Sequence, residues 1–201
     1  MAGPASRSSA QKAPSSRSGL LRCIAITILV LVVLTGLAVL IIWLVVNPRR
    51  FQYTIEDGLV HGFDLNHNHL NASFDFAIRA YNPNSKVSLY YDSIEVYVAY
   101  DDQTLAMDVV KPFFQPHRNA TRLEVKPVAR SVPLLDSVSE DLRLEKTSGD
   151  VELVVRVKAR IRFKVGAWKS TKCTMKATCS PVVLHLSSSK VFDRTYCDED
   201  F

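Results

Sequence analysis

The amino-acid sequence predicts a mainly β protein: a single membrane-spanning helix followed by one antiparallel β-sandwich. Three observations predict it. Cys23 to Val46 is a run of 24 residues without a charge. Beyond that run, apolar residues recur with a period of two, the mark of strands with one buried face. Turn-forming clusters separate these alternating segments, and the helical crossovers that parallel strands require are missing from the pattern.

Residues 1–22 come first. They are built mainly from Ala, Ser, Pro, Gly and Arg, and such a composition buries too little surface to offset the entropy of ordering, so a disordered arm is expected. The apolar run, residues 23–46, would reach roughly 36 Å as a helix, enough to cross a hydrocarbon core of about 30 Å. It is longer than a signal-peptide core and no small-residue cleavage pattern follows Trp43, which predicts an uncleaved signal anchor. Gly36 is followed at the next helical turn by the bulky Leu40, so the small-residue pairing motif is incomplete and the oligomeric state stays open.

Charge divides with the same boundary. All 20 acidic residues lie beyond position 55, whereas Arg7, Lys12, Arg17 and Arg22 precede the span without an acid. The formal net charge of +5 is therefore +4 from the arm and +1 from the 21 Lys and Arg that follow. A chain whose folded part is nearly neutral is not read as a nucleic-acid binder. The basic arm, set against Arg49 and Arg50, predicts a cytosolic N-terminus and an extracellular C-terminal domain.

Residues 47–201 are expected to form one domain of six or seven strands. The clearest is Leu70 to Tyr81, where Leu70, Ala72, Phe74, Phe76, Ile78 and Ala80 alternate with mostly polar neighbours. Ile94 to Tyr100 and Val151 to Phe163 repeat the signature, and weaker strands are expected at Phe51–Ile55, Thr121–Pro127 and Thr171–Leu186, the last bent at Pro181. Asn82-Pro83-Asn84-Ser85, Asp101-Asp102 and Ser148-Gly149-Asp150 supply turns, and Leu134–Leu144 alone has helical spacing.

Two modifications fit an extracellular domain. Asn71-Ala72-Ser73 and Asn119-Ala120-Thr121 are glycosylation sequons, and Asn71 falls on the wet face of its strand. Cys173 and Cys179 on one strand would stand roughly 20 Å apart, beyond disulfide reach, so a bridge must include Cys197. Cys179 with Cys197 is favoured; Cys173 with Cys197, or three reduced thiols, are the alternatives.

Little points to catalysis. The chain has seven glycines, no phosphate-binding loop, no nucleophile elbow and no Cys-x-x-Cys, so neither cofactor nor metal is expected. His67 and His69 would share one strand face, the spacing of a possible metal pair, but that face is the wet one, so solvated surface histidines are expected. The segment Val151 to Val165 aligns Arg156, Lys158, Arg160, Arg162 and Lys164 on its outward side. Such a row needs facing acids, water and salt, or a polyanion such as cell-wall polysaccharide or anionic lipid. Possible partners are therefore the lipid bilayer, cell-wall polymer and other membrane proteins.

The strand ending in Asn82-Pro83-Asn84, followed by Tyr90-Tyr91-Asp92 and then by Pro112-Phe113-Phe114-Gln115-Pro116-His117-Arg118-Asn119-Ala120-Thr121, resembles the plant harpin-induced-like, or non-race-specific disease resistance-like (NHL), family with its group 2 late-embryogenesis-abundant (LEA-2) domain. The resemblance implies an immunoglobulin- or fibronectin-like sandwich, no enzymatic activity, and a role in pathogen defence or stress at the plasma membrane. Read as structure, the block from Pro112 to Thr121 is a surface loop that Phe113 and Phe114 anchor to the core. The chain ends Cys197-Asp198-Glu199-Asp200-Phe201, which does not suit the hydrophobic tail of a lipid anchor.

Overall fold

The computed structural model describes residues 16–46, 49–187 and 191–200. They divide into two units, 1–47 and 48–201. The first contains one helix, α1 (Ser16–Val46). It begins seven residues before the apolar run, so residues 16–22, expected in the arm, are helical; the rest of that arm lies outside the described residues. Within α1, Leu21–Ile41 has a mean hydropathy of 3.1, long and apolar enough to cross a membrane. Thr27 and Thr35 turn their hydroxyls back onto the carbonyls of Cys23 and Leu31, at 2.9 and 2.7 Å, which satisfies both groups without water.

The second unit is β1 (Gln52–Asn66), β2 (His69–Asn82), β3 (Val87–Tyr100), β4 (Gln103–Val110), β5 (Phe113–Gln115), β6 (Asn119–Val125), β7 (Val128–Pro133), α2 (Asp136–Ser148), β8 (Asp150–Val165), β9 (Trp168–Lys169), β10 (Cys173–His185) and β11 (Thr195–Asp200). All pairings are antiparallel. In one sheet β2 is flanked by β1 on one side and by β6 and β7 in turn on the other. In the other, β3 carries β4 and β5 on one edge and β8 on the other, and β8 continues to β10 and to the short β9.

β11 joins the two sheets. Its Thr195 and Tyr196 pair with Ile55 and Thr54 of β1, while Cys197 to Asp200 pair with β10. The hydrogen-bonded path therefore runs unbroken from β4 through β3, β8, β10, β11, β1 and β2 to β6.

The core fills the space between the sheets. Leu70, Phe74 and Ile78 of β2 meet Leu89, Ile94, Val96 and Val98 of β3 and Leu153, Val155 and Ile161 of β8, none more than 1 % exposed. Burying each such side chain contributes about 1.5–3 kcal/mol. Across the layer, Tyr53 and Tyr91 share a hydroxyl–hydroxyl hydrogen bond of 2.8 Å, and the rings of Phe51 and Phe163 lie 6.0 Å apart. Gly58 marks the closest approach: a Cβ there would lie 2.8 Å from both Leu184 and Phe192.

The sandwich domain departs from sequence expectation in four places. β1 does not stop at Ile55 but follows β2 for its whole length, absorbing two register shifts, at Ile55/Asp57 and His61/Asp64. β4, β7 and β11 were not expected, nor were the short β5 and β9. Phe113 stacks on Tyr91 at 4.5 Å as an anchor should, but Phe114 points outward, 43 % exposed, and lies against Tyr90 instead. His67 and His69 do not share a strand face. His67 and Asn68 form the two-residue turn between β1 and β2, both with positive φ, 49° and 57°, as a primed hairpin turn requires.

That turn is tied to α2. Asn68 donates to Asp136 at 2.6 Å and accepts from Ser139 at 2.9 Å, and its carbonyl accepts from the Leu134 amide. α2 buries Val138, Ser139 and Leu142 and ends at Gly149, whose left-handed φ of 87° lets its amide reach the Glu145 carbonyl.

Candidate functional site

The sandwich has two unlike ends. At the distal end lie the β1–β2 turn, the β3–β4 turn at Asp101 and Asp102, and α2. At the proximal end the chain arrives at Arg49 and the β2–β3, β5–β6 and β8–β9 connections gather.

The proximal end is organised by buried amides. Asn82, 0 % exposed, donates to the carbonyls of Val87 and Pro116 at 2.8 and 3.1 Å and accepts from the Asn84 amide at 3.0 Å. Asn84, 2 % exposed, pairs with the backbone of Arg49 in both directions: the Arg49 amide donates to its Oδ1 at 2.6 Å, and its Nδ2 donates to the Arg49 carbonyl at 2.9 Å. Gln115 donates to the carbonyls of Ala80 and Asn119. The Asn-Pro-Asn turn is thus a clamp that fixes four chain segments to one another. Spacing revealed the turn; it did not reveal that these polar side chains are inside.

On the outward face of β8 the five cations stand in line as expected, and most are engaged. Arg162 donates twice to Asp92, whose carboxyl is held below its usual range chiefly by that hydrogen bond and then by the charges of Arg162 and Lys172. Lys158 lies 3.7 Å from Glu95, which also accepts from Tyr97 at 2.7 Å and is likewise lowered. Arg156 reaches Asp102 at 3.4 Å, and the Lys164 ammonium sits 5.7 Å above the Phe114 ring. Arg160 is exposed and, among the described residues, has no carboxylate within ion-pair distance. β3 therefore supplies most of the facing acids that the row requires.

At the join between the sheets, Cys179 and Cys197 form a disulfide across directly opposed positions of β10 and β11, while Cys173 is an exposed free thiol. Of the bridges that the sequence left open, the structure contains this one. Two residues further, Glu199 faces inward beside Tyr53 and Tyr91, its carboxylate oxygens enclosed and, among the described residues, without a hydrogen-bond partner. Burial pushes its pKa up to about 7, and Arg50 pulls the other way. A carboxyl whose folded pKa is raised above the unfolded value of about 4.3 stabilises the fold fully below that value and loses the contribution as pH rises through the folded pKa. The melting temperature is therefore expected to fall between roughly pH 5 and 7.5, and Glu199→Gln should flatten that fall in a pH series of thermal melts. An unchanged slope in the variant would assign the effect elsewhere.

Asn71 and Asn119 are both exposed, on β2 and at the start of β6, with Asn71 Oδ1 accepting from the Ser131 amide at 2.8 Å. Among the described residues no three His, Cys, Asp or Glu side chains are grouped to hold a metal.

This architecture is of the late-embryogenesis-abundant class: the family profile described as Late embryogenesis abundant protein (LEA_2) matches residues 77–179, from the second half of β2 to the bridged Cys179. The LEA-2 resemblance noted in the sequence is thereby shown. Relatives narrow it further. Over 188 residues the chain is 36% identical to an uncharacterized Arabidopsis thaliana protein, covering 92% of this chain and 85% of that one. It is 34% identical to the Arabidopsis NDR1/HIN1-like protein 3 over 87% of this chain and 78% of the relative, and 31% identical to NDR1/HIN1-like protein 10 over 87% and 81%. The chain belongs to the NDR1/HIN1-like (NHL) family, and neither that name nor LEA-2 denotes an enzyme family.

Proposed function

We propose that the protein is a single-pass, membrane-anchored LEA-2 protein of plant stress or defence response, acting without catalysis by adhesion or association outside the plasma membrane. Family membership carries the role. The apolar α1 supports the anchor, and the Cys179–Cys197 bridge with two exposed sequons supports display in an oxidising, glycosylating compartment. The outward row of β8, with Arg160 as its least engaged cation, is the candidate contact for cell-wall polysaccharide.

Topology is the deciding measurement. Glycosidase treatment of the protein from plant membranes is expected to increase its mobility, and Asn71→Gln with Asn119→Gln to abolish that shift. Protease added to sealed, outside-out vesicles should remove a C-terminal tag. A protein without a shift, whose tag is cut only from the cytosolic side, would reverse the orientation and end this reading.

A further inference from the structure

A domain with a formal excess of one positive charge is strongly polarised along its length. The distal end carries Asp101, Asp102, Asp136, Glu140, Asp141 and Glu145, offset there by Arg143 and Lys146 on α2 and by Arg156 beside Asp102. The proximal end carries Lys86, His117, Arg118, Lys164, Lys169 and Lys172. Among the described residues, Asp92 at this end is engaged with Arg162 and Lys172. Summing charge over the whole chain conceals this separation.

The proximal cations are placed around aromatic side chains and a hollow. Ser85, Lys86, Ser88, Phe114, His117 and Lys164 line a depression of about 450 Å³ whose lining contains no Asp or Glu. Lys164 and Lys169 oppose each other directly across the β8–β9 hairpin, an arrangement of like charges that costs stability unless an anion joins them. They are spread over neighbouring rings, Lys164 over Phe114 and Lys169 at 4.8 Å from the centre of Tyr90. Gly166, at φ 58°, turns that hairpin, after which Trp168 is 62 % exposed on the face of its partner Val165, while Phe114, 43 % exposed, lies on the Lys164 face. Exposed Trp and Lys at one end of a domain are the composition of a bilayer interface, where the indole sits at headgroup depth and ammonium groups meet phosphate. The Asn84 clamp holds the Arg49 amide at this same end.

We propose that the proximal end is a headgroup-docking surface, in which Lys86, Lys164 and Lys169 bind the phosphates of anionic lipids while Trp168 and Phe114 seat in the bilayer interface. The inference rests on membrane anchoring. A free phosphate would occupy the hollow alone. A lipid surface engages the hollow and both aromatic side chains together, which is why the whole end is assigned to it.

The 201-residue chain has two tryptophans, so Trp43→Phe leaves Trp168 as the sole indole reporter. This protein is reconstituted into phosphatidylcholine vesicles with or without phosphatidylserine, each containing a headgroup nitroxide lipid. Phosphatidylserine is expected to shift Trp168 emission to the blue and raise nitroxide quenching about twofold, and high salt to reverse both changes. The triple substitution Lys86→Gln, Lys164→Gln, Lys169→Gln should quench equally in the two lipids, with the Cys179–Cys197 bridge verified intact. Equal quenching of the unsubstituted surface in both lipids would overturn the proposal without recourse to any charge variant. So would an emission shift produced by soluble polygalacturonate but not by phosphatidylserine, which would assign the surface to wall polymer. Because vesicle quenching does not depend on which side of the cell the domain occupies, its failure and a failed glycosidase shift are separate results.

Discussion

Asn82→Ala is expected to lower stability by about 3 kcal/mol, a fall of roughly 10 °C in melting temperature for a domain of this size. The side chain is 0 % exposed, and its loss strands the carbonyls of Val87 and Pro116 and the amide of Asn84. A buried polar group left unpaired costs more than a hydrogen bond contributes on average, so the damage exceeds that of an ordinary large-to-small substitution. Asn82→Asp sharpens the test, since the carboxylate still accepts from Asn84 but donates to neither carbonyl and buries a charge. It should melt no higher than Asn82→Ala. A variant within about 1 kcal/mol of the parent would show that the clamp is not what holds the proximal end.

Cys197→Ser is expected to cost about 3 kcal/mol, because the bridge closes a loop with a sequence separation of 18 and so restricts the unfolded chain. Cys179, 0 % exposed, should then react with an alkylating reagent on thermal opening, and reductant should bring the parent protein down to the variant's melting temperature. Cys173→Ser, at an exposed free thiol, should stay within about 0.5 kcal/mol. If Cys173→Ser destabilised and Cys197→Ser did not, the bridge would be wrongly assigned.

How legible these features were in the sequence depended on whether local pattern or distant partners decide them. β2 and β8 could be read because their inward residues alternate almost without exception, and the hydrophobic effect acts on that period wherever the strand pairs. β11, Thr-Tyr-Cys-Asp-Glu-Asp, has no apolar alternation, and its strand character comes from the free edges of β1 and β10. The same holds for Glu56 to Asn66, a polar stretch kept extended by β2. Asn82, Asn84 and Gln115 read as turn residues because amides favour turns; that they lie inside follows from carbonyls of Arg49, Ala80 and Pro116, distant in sequence. The row on β8 was visible at once, whereas its partners Asp92 and Glu95 depend on the β3 register. The polarity between the two ends was invisible for a related reason, since it arises from which turns gather where.

The path of β11 makes the two long sides of the sandwich mechanically different. On its side a continuous backbone ladder binds sheet to sheet. On the opposite side β4 faces β6 and β7, among the described residues, through side-chain links, from Asp108 to the Lys126 amide and from Gln103 to the Pro133 carbonyl and Leu135 amide. The module is therefore built like a bivalve, with its ligament at β11 and its gape between β4 and β6. Any swelling that admitted a guest between the layers would break a few stitches there and leave the hinge intact.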